Sequence, residues 1–387
     1  MTALTAVEPV VVGVSPRTNW TFIAVTTAAG DTGWGECSLN GWEPLLVAYA
    51  GMLARDLVGC AIDGIGGRLR YVPHSPGGLV AHAVKSAVEQ ACTDVSARRA
   101  GHPVCAFIGA PQRDSIPAYA NINRGVTERS PEGFAAAAAR ACAAGYRAVK
   151  IAPFDGVIAA DAATTPIAAR IGAGPDRVFA VRAAIGNDCA LLVDCHWRFD
   201  EPRAAALIRD LAPAAPYWIE CPISEHPAQF AAIARLRRLA RERGARLAGG
   251  EAIVGPDQAE AMCAAALYDV LMPDIKYAGG FRGMLAIAEV CAAHGVAVSP
   301  HNPTGPIAHL ASVHACAATP SVLWLEHQWG ESPLFNEHVG GEPAPLAGGG
   351  FAVPRAPGLG AVLDRALAAR HPALTLPREA NLDERLG

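Results

Sequence analysis

Ala190-Leu191-Leu192-Val193-Asp194 is an apolar run that closes on a carboxylate, and the same reading recurs along the chain. Pro216–Glu220, Arg246–Glu251 and Asp269–Asp274 end on Glu220, Glu251 and Asp274. Val296–Pro300 is followed by His301, and Val322–Glu326 ends on Glu326. Upstream, Ile116–Asn123 and Arg147–Ala152 are runs of the same type, the second carrying Lys150. That makes eight β-type runs. Helical stretches separate most of them, at Pro131–Ala144, Glu201–Leu211, Glu225–Glu242, Pro256–Ala266, Gly280–His294 and Gly305–Ala318. Strands alternating with helices imply parallel pairing through right-handed crossovers, and eight such units suit a closed barrel. No GxGxxG or GxxxxGK[ST] follows a strand, which disfavours an open dinucleotide- or nucleotide-binding sheet.

From Asp194 to Glu326 the charged residues fall 26, 31, 23, 27 and 25 residues apart, one per unit and always at the carboxyl end. In a barrel those ends form the catalytic face. Asp194, Glu220 and Glu251 on adjacent strands would repel one another unless a cation neutralises them. Hard oxygen donors without a thiolate or imidazole cluster favour Mg2+. His301 beside Asp274 reads as a general-base dyad, the carboxylate fixing the imidazole tautomer. His196 stands two residues beyond Asp194, on the same strand face, and reads as an acid/base group. Lys150 suits a substrate carboxylate or enolate oxygen. Glu326 suits a protonated donor to the enediolate. Lys276 reads as a charge partner for Asp274.

Before the barrel, Val10–Val14 and Thr21–Thr26 predict a hairpin with its loop at Ser15–Trp20. Gly33-Trp34-Gly35-Glu36 ends the sheet signal, and Leu45–Val58 and Leu79–Arg99 have helical spacing. Residues 1–115 are therefore expected as an α+β cap, 116–355 as the barrel, and 356–387 as a tail returning to the cap. Arg17, Thr18 and Trp20 on the hairpin, with Asn302 after His301, are candidate substrate-binding residues. Asn121, Asn123 and Thr304 could bind hydroxyls. His327 and Trp329 lie near the mouth by sequence, with no direction assigned.

The chain has 387 residues, 51% hydrophobic and 18% charged, with a net charge of −4. No basic stripe points to nucleic acid, no apolar run is long enough for a membrane span, and Met1–Val14 lacks an export signal. The 11 cysteines contain no CxxC pair, so free thiols in a reducing cytoplasm are expected.

The ordered set Ala148–Ala152, Val193–His196, Trp218–Glu220, Gly249–Glu251, Met272–Asp274 with Gly279-Gly280, and Ser299–His301 resembles the enolase superfamily, in its mandelate racemase-like subgroup. The resemblance extends to Gly33–Glu36 and Pro357–Gly360, nearly the whole chain. It implies a modified (β/α)7β TIM-type barrel under an N-terminal α+β capping domain. It also implies one Mg2+ per subunit on Asp194, Glu220 and Glu251, a small-molecule carboxylate substrate, α-proton abstraction by His301–Asp274, and a homo-oligomer. Two departures narrow it. Ala152 stands where many relatives carry a second lysine base. The Asp194-Cys195-His196 order is similar to galactonate dehydratase-type acid-sugar dehydratases, whose histidine protonates the departing 3-hydroxyl. The expected activity is dehydration of an aldonate or aldarate to a 2-keto-3-deoxy acid. The alternatives are an epimerase or cycloisomerase acting through the same enediolate, and a barrel that binds without turnover.

Overall fold

The computed structural model describes residues 2–70, 78–157, 165–337, 339–340 and 346–376. Parts of the expected cap, barrel and tail, the tail's residues 377–387 among them, lie outside those residues. Three antiparallel strands open the chain: β1 (Leu4–Ser15), β2 (Thr18–Thr27) and β3 (Thr32–Glu36). The hairpin loop is shorter than the sequence predicts. Thr18 and Trp20 belong to β2, where β-branched and aromatic residues fit a pleated, half-buried surface, and Trp20 pairs across to Val12. Gly33–Glu36 is itself the third strand rather than the end of the sheet.

Helices α1 (Glu43–Leu57), α2 (Ile65–Arg70), α3 (Leu79–Arg99) and α4 (Val104–Ile108) follow. Gly33 and Gly35 let α3 lie directly on β3. A Cβ at either would stand 2.1 Å and 2.0 Å from the carbonyl oxygens of Ala91 and Ala87, so no larger residue fits.

The second body is built of parallel strands β4 (Ser115–Asn121), β5 (Ala148–Ile151), β6 (Ala190–Asp194), β7 (Trp218–Glu220), β8 (Arg246–Gly249), β9 (Val270–Leu271), β10 (Ala297–Val298) and β11 (Leu325–Gln328). Between them run α5 (Pro131–Ala143), α6 (Thr165–Ile185), α7 (Glu201–Leu211), α8 (Phe230–Glu242), α9 (Pro256–Ala264), α10 (Gly280–Ala293) and α11 (Pro306–Ala317). Five of these helices carry a proline at their first or second position, where its missing N–H costs nothing. From β4 to β10 each strand pairs with the next, and β11 pairs with β4. At the last seam, Val298 bridges Val322 and accepts from the Leu323 N–H at 2.8 Å. This is the modified (β/α)7β barrel. Helix α8 begins at Phe230 after a 3-10 turn at Pro227–Gln229. Glu225, expected inside that helix, therefore lies in the loop after β7.

Side-chain alternation places the floor of the mouth. Ala148, Leu192 and Trp218 cluster with Tyr119, Ala248, Val270 and Met272 inside the barrel. Two residues further along their strands come Lys150, Asp194 and Glu220 on the same face. The polar groups thus stand on a packed apolar layer, in which Tyr119 meets Trp218 edge-on at 5.5 Å. No described helix is long and apolar enough to cross a membrane.

The chain after the barrel contacts the cap. Asn19 exchanges hydrogen bonds with the backbone of Leu374 at 2.8 and 2.9 Å. Buried Asp94 of α3 accepts from Trp34 N (3.1 Å), from Leu359 N (2.9 Å) and from Arg98 (2.6 Å). Asp94→Ala leaves all three donors without their acceptor. It should lower unfolding free energy by about 3 kcal/mol, measured by urea denaturation.

Candidate active site

The carboxyl ends of the strands converge as their spacing predicts. Asp194, Glu220 and Glu251 are buried, with one carboxylate oxygen of each within 4.8 Å of the others. Asp194 and Glu220 are register partners on β6 and β7. Trp218 Nε1 donates to the second oxygen of Glu220 at 2.9 Å and fixes its rotamer. Lys150 Nζ contacts Glu220 Oε1 at 2.7 Å, Glu326 Oε1 at 2.8 Å and Asp194 Oδ2 at 3.8 Å.

Burial works against the charged Lys150, but Glu220, Glu326 and Asp194 outweigh it and hold its pKa well above the ordinary lysine value. Burial, reinforced by Asp194, pushes Glu220 far up, and Lys150 offsets this only in part. Asp194 and Glu326 resist the same burial. His196 and Lys150 hold Asp194 down, and Lys150 with His301 holds Glu326 down. Glu326 is therefore an ionised partner of Lys150, not the protonated donor expected from the sequence. Its other contacts are Asn121 Nδ2 at 2.7 Å and Asn302 N at 2.9 Å.

The two histidines flank the acidic cluster. His301 Nδ1 lies 2.8 Å from Asp274 Oδ2 and its Nε2 lies 3.6 Å from Glu251 Oε1. Asp274 also receives Lys276, both from its backbone N–H at 2.8 Å and from its ammonium. Although burial opposes it, Lys276 and His301 keep Asp274 below the usual carboxylate range. His196 Nε2 sits 2.8 Å from Asp194 Oδ2, and its backbone N–H donates to Asp194 Oδ1 at 2.9 Å. The chain folds back this tightly because His196 (φ 46°), Trp197 (φ 56°) and, on the neighbouring loop, Cys221 (φ 43°) are left-handed. Such a conformation costs a side-chain-bearing residue about 1–2 kcal/mol.

A cavity of about 400 Å³ opens over these groups. Lys150, Asp194, His196, Glu251 and His301 line it, as do Arg17, Thr18 and Trp20 from the cap. Asn302 does not line it and spends its side chain on the Glu326 carbonyl and on His309. Asn121, Asn123 and Thr304 reach it. His327 turns away and packs with Tyr146, His309, Phe335 and Phe351. Burial there lowers its pKa to about 4. Trp329 packs edge-on against Tyr146 on the same side.

Two contacts that fix the cap over the mouth carry no local sequence signal. Glu36 accepts from Gly305 N (2.7 Å) and Ala308 N (2.8 Å) at the start of α11. Glu331 takes the hydroxyls of Ser15 (2.9 Å) and Thr18 and lies 3.5 Å from Arg124. Their partners are hundreds of residues away.

Residues 133–367, more than half of the chain, match the enolase C-terminal domain-like family. Residues 2–109 match the mandelate racemase/muconate lactonizing enzyme N-terminal domain. The chain belongs to the mandelate racemase/muconate lactonizing enzyme family of the enolase superfamily. It is 29% identical over 368 residues to a D-galactonate dehydratase of Ralstonia nicotianae, covering 90% of each chain. It is 32% identical over 283 residues to a D-gluconate dehydratase of Thermoproteus tenax, a match spanning 73% of this chain and 55% of that protein. A mandelate racemase/muconate lactonizing enzyme structure from Jannaschia sp. superposes with a TM-score of 0.85 at 27% identity, covering 96% of this chain and 98% of the other.

Lys150→Met would leave Glu220 and Glu326 buried without their shared ammonium. Unfolding free energy should fall by about 3 kcal/mol at pH 8. Without the ammonium both carboxyls titrate at raised values in the folded state. Their neutral forms are then favoured, so the deficit should shrink as pH falls from 8 to 5. Urea denaturation at the two pH values measures this.

Proposed function

We propose that the protein is a magnesium-dependent dehydratase of a sugar acid, an aldonate or aldarate. The observation that carries this reading is the pair of histidines, His301 beside Glu251 and His196 beside Asp194, on one buried carboxylate cluster and in one cavity. The similarity to galactonate and gluconate dehydratases supports it.

Charge supports the cation. Asp194, Glu220 and Glu326 crowd around the ammonium of Lys150, Glu251 adds a further carboxylate beside Asp194 and Glu220, and Lys276 is committed to Asp274. An all-oxygen donor set of this kind fits Mg2+. Asp194, Glu220 and Glu251 would hold the ion, which when bound supplies positive charge against the substrate carboxylate.

The remaining chemistry belongs to the chain. His301, held in one tautomer by Asp274, removes the proton from C2, and the C–H electrons move into the carboxylate to give an enediolate. Lys150 faces the developing oxyanion charge. His196 gives a proton to the 3-hydroxyl as the C3–O bond breaks, so the group leaves as water. The enol then takes a proton at C3 and becomes the 2-keto-3-deoxy acid. Arg17, Thr18 and Trp20 roof the cavity and exclude bulk water. Ala152 lines the cavity in place of a second lysine base, which favours dehydration over two-base racemisation.

Proton NMR in D2O with Mg2+ and a panel of aldonic and aldaric acids tests the roles. His196→Asn should keep exchange of the C2 proton while elimination falls about 10²–10⁴-fold, and His301→Asn should lose both. Wild-type exchange at C2 with the 3-hydroxyl retained on every acid would contradict dehydration and favour the epimerase or cycloisomerase. Mg2+ at a hundredfold its Kd should stabilise the wild type by about 2.7 kcal/mol in thermal unfolding. Glu251→Gln should lose most of that response.

A further inference from the structure

We infer that Cys142 and Cys189 form a peroxide-reactive thiol pair that closes to a disulfide, tying α5 to β6 on the barrel face opposite the active site. Cys142 lies in the last turn of α5, and Cys189 directly precedes β6, whose far end carries Asp194. The two are 47 residues apart in the chain. Their Sγ atoms stand 2.9 Å apart, within about 1 Å of bonding distance.

Both sulfurs sit on fixed backbone, so no segment has to move for them to meet. The end of α5 is closed by Ala144 N on Arg140 O at 2.9 Å and, past left-handed Gly145, by Tyr146 N on Ala141 O at 3.2 Å. On the other side, Cys189 O accepts from Arg182 Nη1 at 2.9 Å, and Ala190 N donates to Arg147 O at 2.9 Å. Arg182 is itself anchored on Ala214 O at 2.7 Å. Among the described residues only Asp194, Glu220 and Glu251 offer three ligand atoms within reach of one ion, so the two thiols are not half of a zinc centre.

The pair is asymmetric in the way a two-step oxidation needs. Of the 11 cysteines only Cys60 and Cys142 are half-buried, and the other nine, Cys189 among them, are buried. Cys60 donates to Asp56 O at 3.5 Å, a backbone partner that cannot resolve an oxidised sulfur. The Cys189 contact, with Arg147 and Arg182 behind it, holds Cys142 below the ordinary thiol value against its burial. The same contact and burial hold Cys189 above it. Cys142 is thus the attacking thiolate. Its sulfur attacks a hydroperoxide such as H2O2, an S–O bond forms as the O–O bond breaks, and the leaving hydroxide takes up the Cys142 proton as water. The Cys189 sulfur then attacks the sulfenic acid. The S–S bond forms, the S–O bond breaks, and the second hydroxide leaves as water with the Cys189 proton. Two thiols are oxidised by two electrons and one peroxide is reduced.

The test is H2O2 treatment of the reduced full chain, then alkylation and non-reducing peptide mapping by mass spectrometry. The wild type should lose two free thiols and yield one Cys142–Cys189 cross-linked peptide that dithiothreitol reverses. In Cys189→Ser, Cys142 should stop at the sulfenic acid and be trapped by dimedone. In Cys142→Ser, Cys189 should stay a free thiol. The wild-type midpoint of thermal unfolding should rise by several degrees on oxidation, a rise that Cys142→Ser lacks, because the bond closes a long loop of the unfolded chain. All 11 thiols still alkylated after peroxide, or a cross-link mapped to another pair, would overturn the inference. Dimedone on Cys189 rather than Cys142 in the single variants would overturn the assigned order of attack.

Discussion

Concentrated negative charge inside the barrel mouth is the constraint that the rest of the structure answers. Asp194, Glu220 and Glu326 share the buried Lys150, and Glu251 joins Asp194 and Glu220 in the same cluster. Such a cluster is stable only where each oxygen is aimed, and much of the surrounding architecture aims them. Trp218 fixes Glu220, Asn121 and Asn302 fix Glu326, and the left-handed turn after β6 brings His196 onto Asp194. The same crowding that burdens folding is what the proposed cation on Asp194, Glu220 and Glu251 would relieve.

The barrel supplies rigidity, and the cap supplies closure. The apolar layer of Tyr119, Leu192, Trp218 and Met272 leaves no room for the polar groups to sink. Above them, Glu36 ties β3 to the start of α11, and Glu331 clamps the hairpin tip against the loop after β11. A buried carboxylate bonded to the first backbone amides of a helix is favourable on both hydrogen-bond and dipole grounds. The cap residues that line the cavity are thereby referred to the same frame as His196 and His301.

Much of this was legible in the sequence because strand periodicity is strict. A charge that ends an apolar run faces the mouth, so Lys150, Asp194, Glu220 and Glu326 followed from phase alone, and the evenly spaced Glu251, Asp274 and His301 completed the ring. What local patterns do not encode stayed hidden. The ionised state of Glu326 depends on Lys150, which is far away in the chain. Asn302 looked like a substrate contact by its place after His301, but its side chain is used to support Glu326. Glu225 sat in an apparently helical stretch, and Pro227 with its 3-10 turn displaced the helix start to Phe230. Thr18 and Trp20 were read as loop, yet their residue types suit the strand they occupy.

The central claim is that the two histidines divide one elimination between them, His301 taking the C2 proton and His196 releasing the 3-hydroxyl. The most direct test is the mass of the product that the Mg2+-loaded wild-type protein forms from a sugar acid in D2O. The account predicts a keto acid that has lost one water and carries one solvent deuterium at C3. Recovery of an acid deuterated at C2 with all of its oxygens in place would contradict it.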